Sequence, residues 1–231
     1  MAHSIYQDGG YLEHNPNWHA EDAPYKARWI HDLLSKTGIQ PQTIAEVGCG
    51  SGEVLINVGN YYPDTTLAGF DISPQAFEIC SKKATDRVGF YHEDLLKSKQ
   101  GPFDLLMAID VFEHVDDYMS FLRAIRGKAT YKIFHIPLDL SVQTILRGSP
   151  IMRVRESVGH VHYFYKDSAL ATLRDTGYEI LDWRYTHFSQ ELPDRPLPMR
   201  LLNLPRTLVR AVNEDFSVRL FGGSSLMVVT R

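Results

Sequence analysis

Two apolar runs in this chain each end on a small chemical signal, and the distance between those signals limits the folds open to it. Ile44-Ala45-Glu46-Val47 runs into Gly48-Cys49-Gly50-Ser51-Gly52, and about twenty residues further on Leu67-Ala68-Gly69-Phe70 ends on Asp71. Short apolar runs closed by turn residues read as strands buried on both faces. Glycine lacks a Cβ, so backbone there can take a positive φ and approach a bound group closely. An acid at the next strand end is placed to accept hydrogen bonds from sugar hydroxyls. Together the two signals describe a nucleoside cradle in an α/β sheet.

The rest of the chain supports that sheet. Apolar runs predict strands at Thr43–Val47, Thr66–Asp71, Val88–His92, Asp104–Ile109 and Tyr131–Ile136. Between them, helices fit Glu53–Asn60, Pro74–Ala84 and Asp117–Arg126, an alternation that implies right-handed crossovers and a parallel sheet covered on both faces. Ahead of the first strand, Pro24 suits a first helical position, Tyr25, Trp29, Leu33 and Leu34 recur at helical spacing, and Gly38 supplies a stop. A later helix over Asp167–Thr176 ends at Gly177, and strands follow at Tyr178–Trp183 and Ser225–Thr230. The 231 residues suit one elaborated domain, preceded by an irregular arm over residues 1–23.

The loop spacing separates kinds of cofactor. A dinucleotide fingerprint reads G-x-G-x-x-G, whereas Gly48, Gly50 and Gly52 read G-x-G-x-G with Glu46 just ahead. This string resembles motif I of the class I S-adenosylmethionine-dependent methyltransferases. The resemblance runs from about Tyr25 to Ile180 and takes in Asp71, Glu93-Asp94-Leu95 and Asp110-Val111-Phe112-Glu113-His114-Val115, each at an expected strand end. It implies a doubly wound, seven-stranded, mostly parallel sheet of Rossmann-like form, whose antiparallel last strand lies between the fifth and sixth. It also implies S-adenosylmethionine as cofactor, with S-adenosylhomocysteine as product. On that reading Gly48, Cys49, Gly50 and Gly52 lie beside the methionyl part and Glu46 serves its ammonium. Asp71 binds the ribose, Ile72 covers the adenine, Asp94 and Leu95 meet its polar edge, and Ile109 and Asp110 face the methyl donor.

Other residues bear on the acceptor. Asp110 to His114 resembles the E-x-x-E-H segment of ubiquinone-pathway O-methyltransferases, with Asp in the first place. A divalent metal has been associated with that segment; the alternative is a structural turn with His114 bonded to backbone, and no metal ligand is assigned. His114 is the first candidate for a general base. His135, at the end of the fifth strand, and His160 and His162, in Gly159-His160-Val161-His162-Tyr163-Phe164-Tyr165, are candidate acceptor-binding residues. Residues 138–165 and 190–222 are expected to cap the acceptor side. Within the arm, Tyr11, Trp18, His19 and Tyr25 offer stacking edges.

A formal net charge of -4 and a pI near 6.2 give no basic field for nucleic acid, and no Asn/Asp-Pro-Pro-Tyr turn follows the fourth strand. Two cysteines make no disulfide framework, and nothing in the first residues reads as a leader; free thiols and a cytoplasmic location are the expectation. Arg147, Arg153, Arg155, Arg200, Arg206 and Arg210 could meet an anionic acceptor or form a solvated face. The apolar-basic alternation around Leu201–Val209 permits weak membrane-surface contact, although Pro205 interrupts any long helix there. The expected function is methyl transfer to a small molecule, on oxygen rather than nitrogen or carbon. A non-catalytic S-adenosylmethionine-binding regulatory module is the alternative, and the glycine spacing disfavours a nicotinamide-dependent oxidoreductase.

Overall fold

The computed structural model describes Trp18, residues 20–187 and residues 204–231. Its strands are β1 (Thr43–Val47), β2 (Thr66–Asp71), β3 (Val88–His92), β4 (Phe103–Ile109), β5 (Ala129–Pro137), β6 (Ile180–Thr186) and β7 (Ser225–Thr230). They form one sheet in the order β3-β2-β1-β4-β5-β7-β6. The first five are parallel to their neighbours, and β7 runs antiparallel to both β5 and β6. This is the expected architecture, with the last strand in the expected place. Strand order reverses between β1 and β4, so a crevice opens beyond their carboxyl ends, where open α/β sheets bind ligands.

Period-two alternation feeds two cores from the same strands. In β4, Leu105 and Met107 pack on one face of the sheet with Leu33 and Leu34 of α1 (Ala23–Thr37) and Leu55 and Val58 of α2 (Glu53–Gly59). Leu106 and Ala108 pack on the other face with Leu122 and Ile125 of α4 (Tyr118–Ile125) and Leu170 and Leu173 of α7 (Lys166–Asp175). Continuous apolar runs in the central strands follow from burial on both faces.

The elements differ from the sequence expectation in ways that have physical causes. Helix α3 (Pro74–Cys80) tightens into a 3-10 turn over Ser81–Lys83 rather than continuing to Ala84. Strand β6 starts later than Tyr178, whose N–H still closes the end of α7 on the Leu173 carbonyl at 3.0 Å, and the strand runs on to Thr186. Residues 138–165 contain two short helices, α5 (Val142–Arg147) and α6 (Ser149–Ser157). A reciprocal cap starts α5: the Thr144 N–H donates to Ser141 Oγ at 3.1 Å, and the Ser141 N–H donates to Thr144 Oγ1 at 2.8 Å. Residues 204–221 form α8 (Leu204–Val212) and α9 (Glu214–Phe221). Pro205 does not interrupt α8; it occupies the first turn, where its missing N–H costs nothing. Tyr11, His19, Arg200 and the stretch from 190 to 203 lie outside the described residues.

Candidate active site

The glycine loop closes β1 and opens α2. Gly52 is the N-terminal boundary of α2 at φ 77°, and a Cβ there would sit 2.6 Å from the Phe90 ring. Gly50 takes φ 53° and turns its N–H onto Asp71 Oδ2 at 2.8 Å, while the Ser73 N–H donates to Asp71 Oδ1 at 2.8 Å. Burial raises the Asp71 carboxyl above its ordinary value, and these two N–H groups work against that rise. Glu46 is buried beneath the loop and pushed up to about 8 by desolvation, with Lys26 opposing. Its Oε2 has no hydrogen-bond partner. A cleft runs past Trp18, Glu46, Gly48, Cys49, Gly50, Asp71, Ile72, Ile109 and Asp110. Side-chain-free backbone on one wall and an orphaned buried carboxyl on the floor suit a ligand that brings a cation to Glu46 and hydroxyls to Asp71.

A second cavity of about 550 Å³ adjoins the first, and Asp22, Lys26, Asp110 and His114 line both. A charged chain occupies that junction. Asp110 has the left-handed φ of 54°, rare for a side-chain-bearing residue, which aims its carboxylate between two partners. Oδ2 accepts from the Lys26 ammonium at 2.7 Å, and Lys26 also reaches Asp22 at 2.9 Å. Oδ1 accepts from His135 Nδ1 at 2.6 Å. Burial disfavours the Asp110 anion, yet His135 and Lys26 outweigh it and hold the carboxyl well below the usual range. Burial likewise opposes the Lys26 charge, and Asp110 and Asp22 outweigh it, raising the ammonium's pKa. In the neutral imidazole that donates from Nδ1 to this carboxylate, Nε2 carries the lone pair. There it faces the Thr186 hydroxyl at 2.9 Å.

The remaining histidines separate into different roles. His114 donates from Nδ1 to the Gly159 carbonyl at 3.1 Å; desolvation, helped by nearby His160, lowers its pKa to about 4. His160 lines the second cavity with Nδ1 on Asp139 Oδ2 at 2.7 Å. His162 does not line it: its Nε2 bonds the Val115 and Asp116 carbonyls at 3.0 and 3.2 Å, and its ring packs against Tyr118. Glu113 is fully buried, and burial followed by the Asp110 charge raises its carboxyl well above the ordinary value. Glu113, His114 and His160 each offer a donor atom within 4.8 Å of the others. For a cation to bind there, Glu113 would first have to give up the proton that burial favours.

Asp94 and Leu95 are not among the residues lining either cavity: Asp94 Oδ1 accepts from the Leu96 N–H at 2.9 Å, and Leu95 packs in a core. None of Arg147, Arg153, Arg155, Arg206 or Arg210 lines the second cavity. Lys26, Asp22, Asp139 and Thr186 escaped sequence reasoning. Only the Asp22–Lys26 spacing of four, at the start of a helix, carried a local signal.

Comparison with known proteins agrees with this layout. The solved structure of magnesium protoporphyrin IX methyltransferase from Synechocystis, with bound S-adenosylhomocysteine, superposes with a TM-score of 0.60 at 16% identity, covering 90% of this chain and 83% of that one. Ajmaline N-methyltransferase of Rauvolfia serpentina is 31% identical over 114 residues, 44% of this chain and 39% of its own length. A ubiquinone biosynthesis O-methyltransferase of Thiobacillus denitrificans is 28% identical over 110 residues, 44% of each chain. The matched stretch thus spans less than half the length of these curated relatives. A family profile described as a methyltransferase domain matches residues 18–182, from the arm through all five parallel strands and into β6. By that match, which takes in the glycine loop and the junction it leads to, the chain belongs to the methyltransferase domain family.

Proposed function

We propose that this protein is an S-adenosylmethionine-dependent methyltransferase acting on a small-molecule hydroxyl. The observation that carries the reading is the junction at Asp110, where a cleft suited to an adenosyl sulfonium meets a second cavity holding a paired imidazole. When bound, the cofactor supplies an activated methyl group and its own leaving group. The chain's residues bind, orient and manage one proton. Gly48, Cys49 and Gly50 line the place of the methionyl part, Gly52 makes room for the Phe90 ring behind the loop, Glu46 accepts the ammonium, and Asp71 takes the ribose hydroxyls in place of the Gly50 N–H. Ile72 and Ile109 cover the apolar faces.

His135 is the base in this reading. Asp110 fixes its tautomer and orientation and leaves Nε2 open to take a proton from a hydroxyl that displaces Thr186. His114, preferred on sequence grounds, has a pKa near 4, which makes it a weak proton acceptor at neutral pH. It sits between the cavities and orients the acceptor, as His160 does from Asp139. Among the described residues no arginine lines the second cavity, and Lys26 is already shared by two carboxylates. A neutral acceptor therefore fits better than a carboxylate or phosphate.

Calorimetry with S-adenosylhomocysteine tests the first half and labelled-donor turnover on a panel of phenols, alcohols and amines tests the second. Binding with transfer to hydroxyls supports the proposal. Binding without turnover on any acceptor would instead favour the non-catalytic module, and transfer confined to amines would move the reaction to nitrogen.

A further inference from the structure

The helices that cap the second cavity carry an outer surface unlike the rest of the molecule. Among the described residues, every large apolar side chain more than half exposed lies on them: Ile145, Leu146, Met152, Leu208, Val212 and Phe216, with Leu146 and Val212 at 82% and 90%. Elsewhere the exposed large apolar groups are single and less open, as on most soluble surfaces. The cap is one unit. Helix α5 packs against α6 and α9, and α9 packs against α8. Arg206 of α8 reaches Gln143 of α5 at 3.4 Å and the Phe221 carbonyl of α9 at 2.9 Å.

Charge follows the same boundary. Residues 142–157 and 204–221 hold six arginines against three carboxylates, a formal +3 on a chain whose total is -4, so the remainder carries -7. Arg147, Arg153 and Arg155 are exposed beside Leu146 and Met152. Apolar side chains at helical spacing flanked by arginine describe a helix that lies in a bilayer interface, with the apolar face among acyl chains and the guanidinium groups among phosphates. The charge reversal complements an anionic bilayer, and the exposed apolar side chains interleaved with arginine fit its interface.

Helix α6 connects this outer surface to the cavity. Ile151, Val154 and Val158 line the cavity, while Met152, Arg153 and Arg155 are exposed on the same helix. We propose that the α5–α6–α8–α9 cap docks on an anionic lipid surface, placing the second cavity's apolar wall next to the bilayer. Docking rests on the cap alone and does not require the methyltransferase reading.

Co-sedimentation of the full chain with vesicles tests this, using phosphatidylcholine alone and phosphatidylcholine mixed equally with phosphatidylglycerol. The chain is expected to pellet with the mixed vesicles, to be released by salt, and to ignore the neutral ones. Replacing both Leu146→Asp and Val212→Asp should weaken partitioning roughly tenfold or more. Arg153→Glu with Arg155→Glu removes attraction and leaves the apolar surface whole, and it should weaken partitioning by a similar factor. All four positions lie outside both cavities, so S-adenosylhomocysteine affinity and thermal midpoint should not move in either variant. The proposal is overturned if the parent ignores anionic vesicles, or if both variants pellet as well as the parent. It is also overturned if the parent sediments as a dimer in lipid-free solution that Leu146→Asp with Val212→Asp converts to monomer, since the surface would then belong to a second copy.

Discussion

The two cavities share Asp110 and His114, yet they are built by opposite means. On the cofactor side, neighbours in sequence do the work: a loop of five residues, the acid that ends the next strand, and backbone N–H groups that hold it. In the second cavity, the polar groups arrive from separate parts of the chain. Lys26 comes from α1, His135 from β5, Thr186 from the end of β6, and Asp139 and His160 from the cap. The first arrangement is local and tolerates little change in residue type; the second depends on the sheet order that brings β6 and β7 beside β5. A site made in two such parts can keep one ligand while its other half is rebuilt for a new one.

That contrast can be broken at several points. The largest expected effect is on the acceptor side: His135→Ala should slow turnover by about 10²–10⁴-fold and leave S-adenosylhomocysteine affinity unchanged. If His114→Ala costs as much and His135→Ala costs little, the base has been misassigned. Lys26→Met strikes the junction, leaving Asp110 and Asp22 without their shared cation, and should cost about 3–5 kcal/mol in urea unfolding. A loss within error would mean that the Asp22–Lys26–Asp110 chain contributes nothing to the fold. On the cofactor side, Asp71→Ala should weaken S-adenosylhomocysteine binding by at least about tenfold, as expected for charge-assisted bonds to two hydroxyls. Undiminished affinity in calorimetry would place the nucleoside elsewhere.

The smallest effect is a pH slope. Folded Glu46 keeps its proton to about pH 8, against an ordinary value of 4.5. The folded chain therefore holds the extra proton between those limits, and stability falls as pH rises through them. His114 acts in the other direction: lowered from 6.5 to about 4, it contributes stability that is present above 6.5 and lost as pH falls toward 4. Above neutrality the His114 contribution is constant, and the buried carboxyls remain: Glu46, and Glu113, which burial also raises. Thermal or urea unfolding of the empty protein should show stability declining toward pH 8, with a Glu46 share of at most about 1.4 kcal/mol per unit, and Glu46→Gln should remove that share. An equally steep decline in the variant would assign the slope to another group.

Much of the sheet was legible because burial on both faces leaves continuous apolar runs, and each run here stops at a residue with its own chemistry: Gly48, Asp71, Asp110. The short cap helices were not legible as helices. Ile145 and Leu146 face outward, so the periodic stripe that marks a core-facing helix is missing from α5.

By itself the sequence determined the strand-end loops, because a left-handed turn and a close approach demand glycine, and the N–H groups of Gly50 and Ser73 demand an acceptor such as Asp71 at the following strand end. Only the tertiary structure separated the histidines by their surroundings. His114 and His162 carry the same side chain as His135, but burial lowers the pKa of one and backbone carbonyls occupy the other. His135 alone of the three lies against Asp110, since β4 and β5 are adjacent in register at Ile109 and His135 and the chain then turns Asp110 back through a positive φ. Imidazole basicity is set by neighbours within a few ångströms, and those neighbours are far away along the chain.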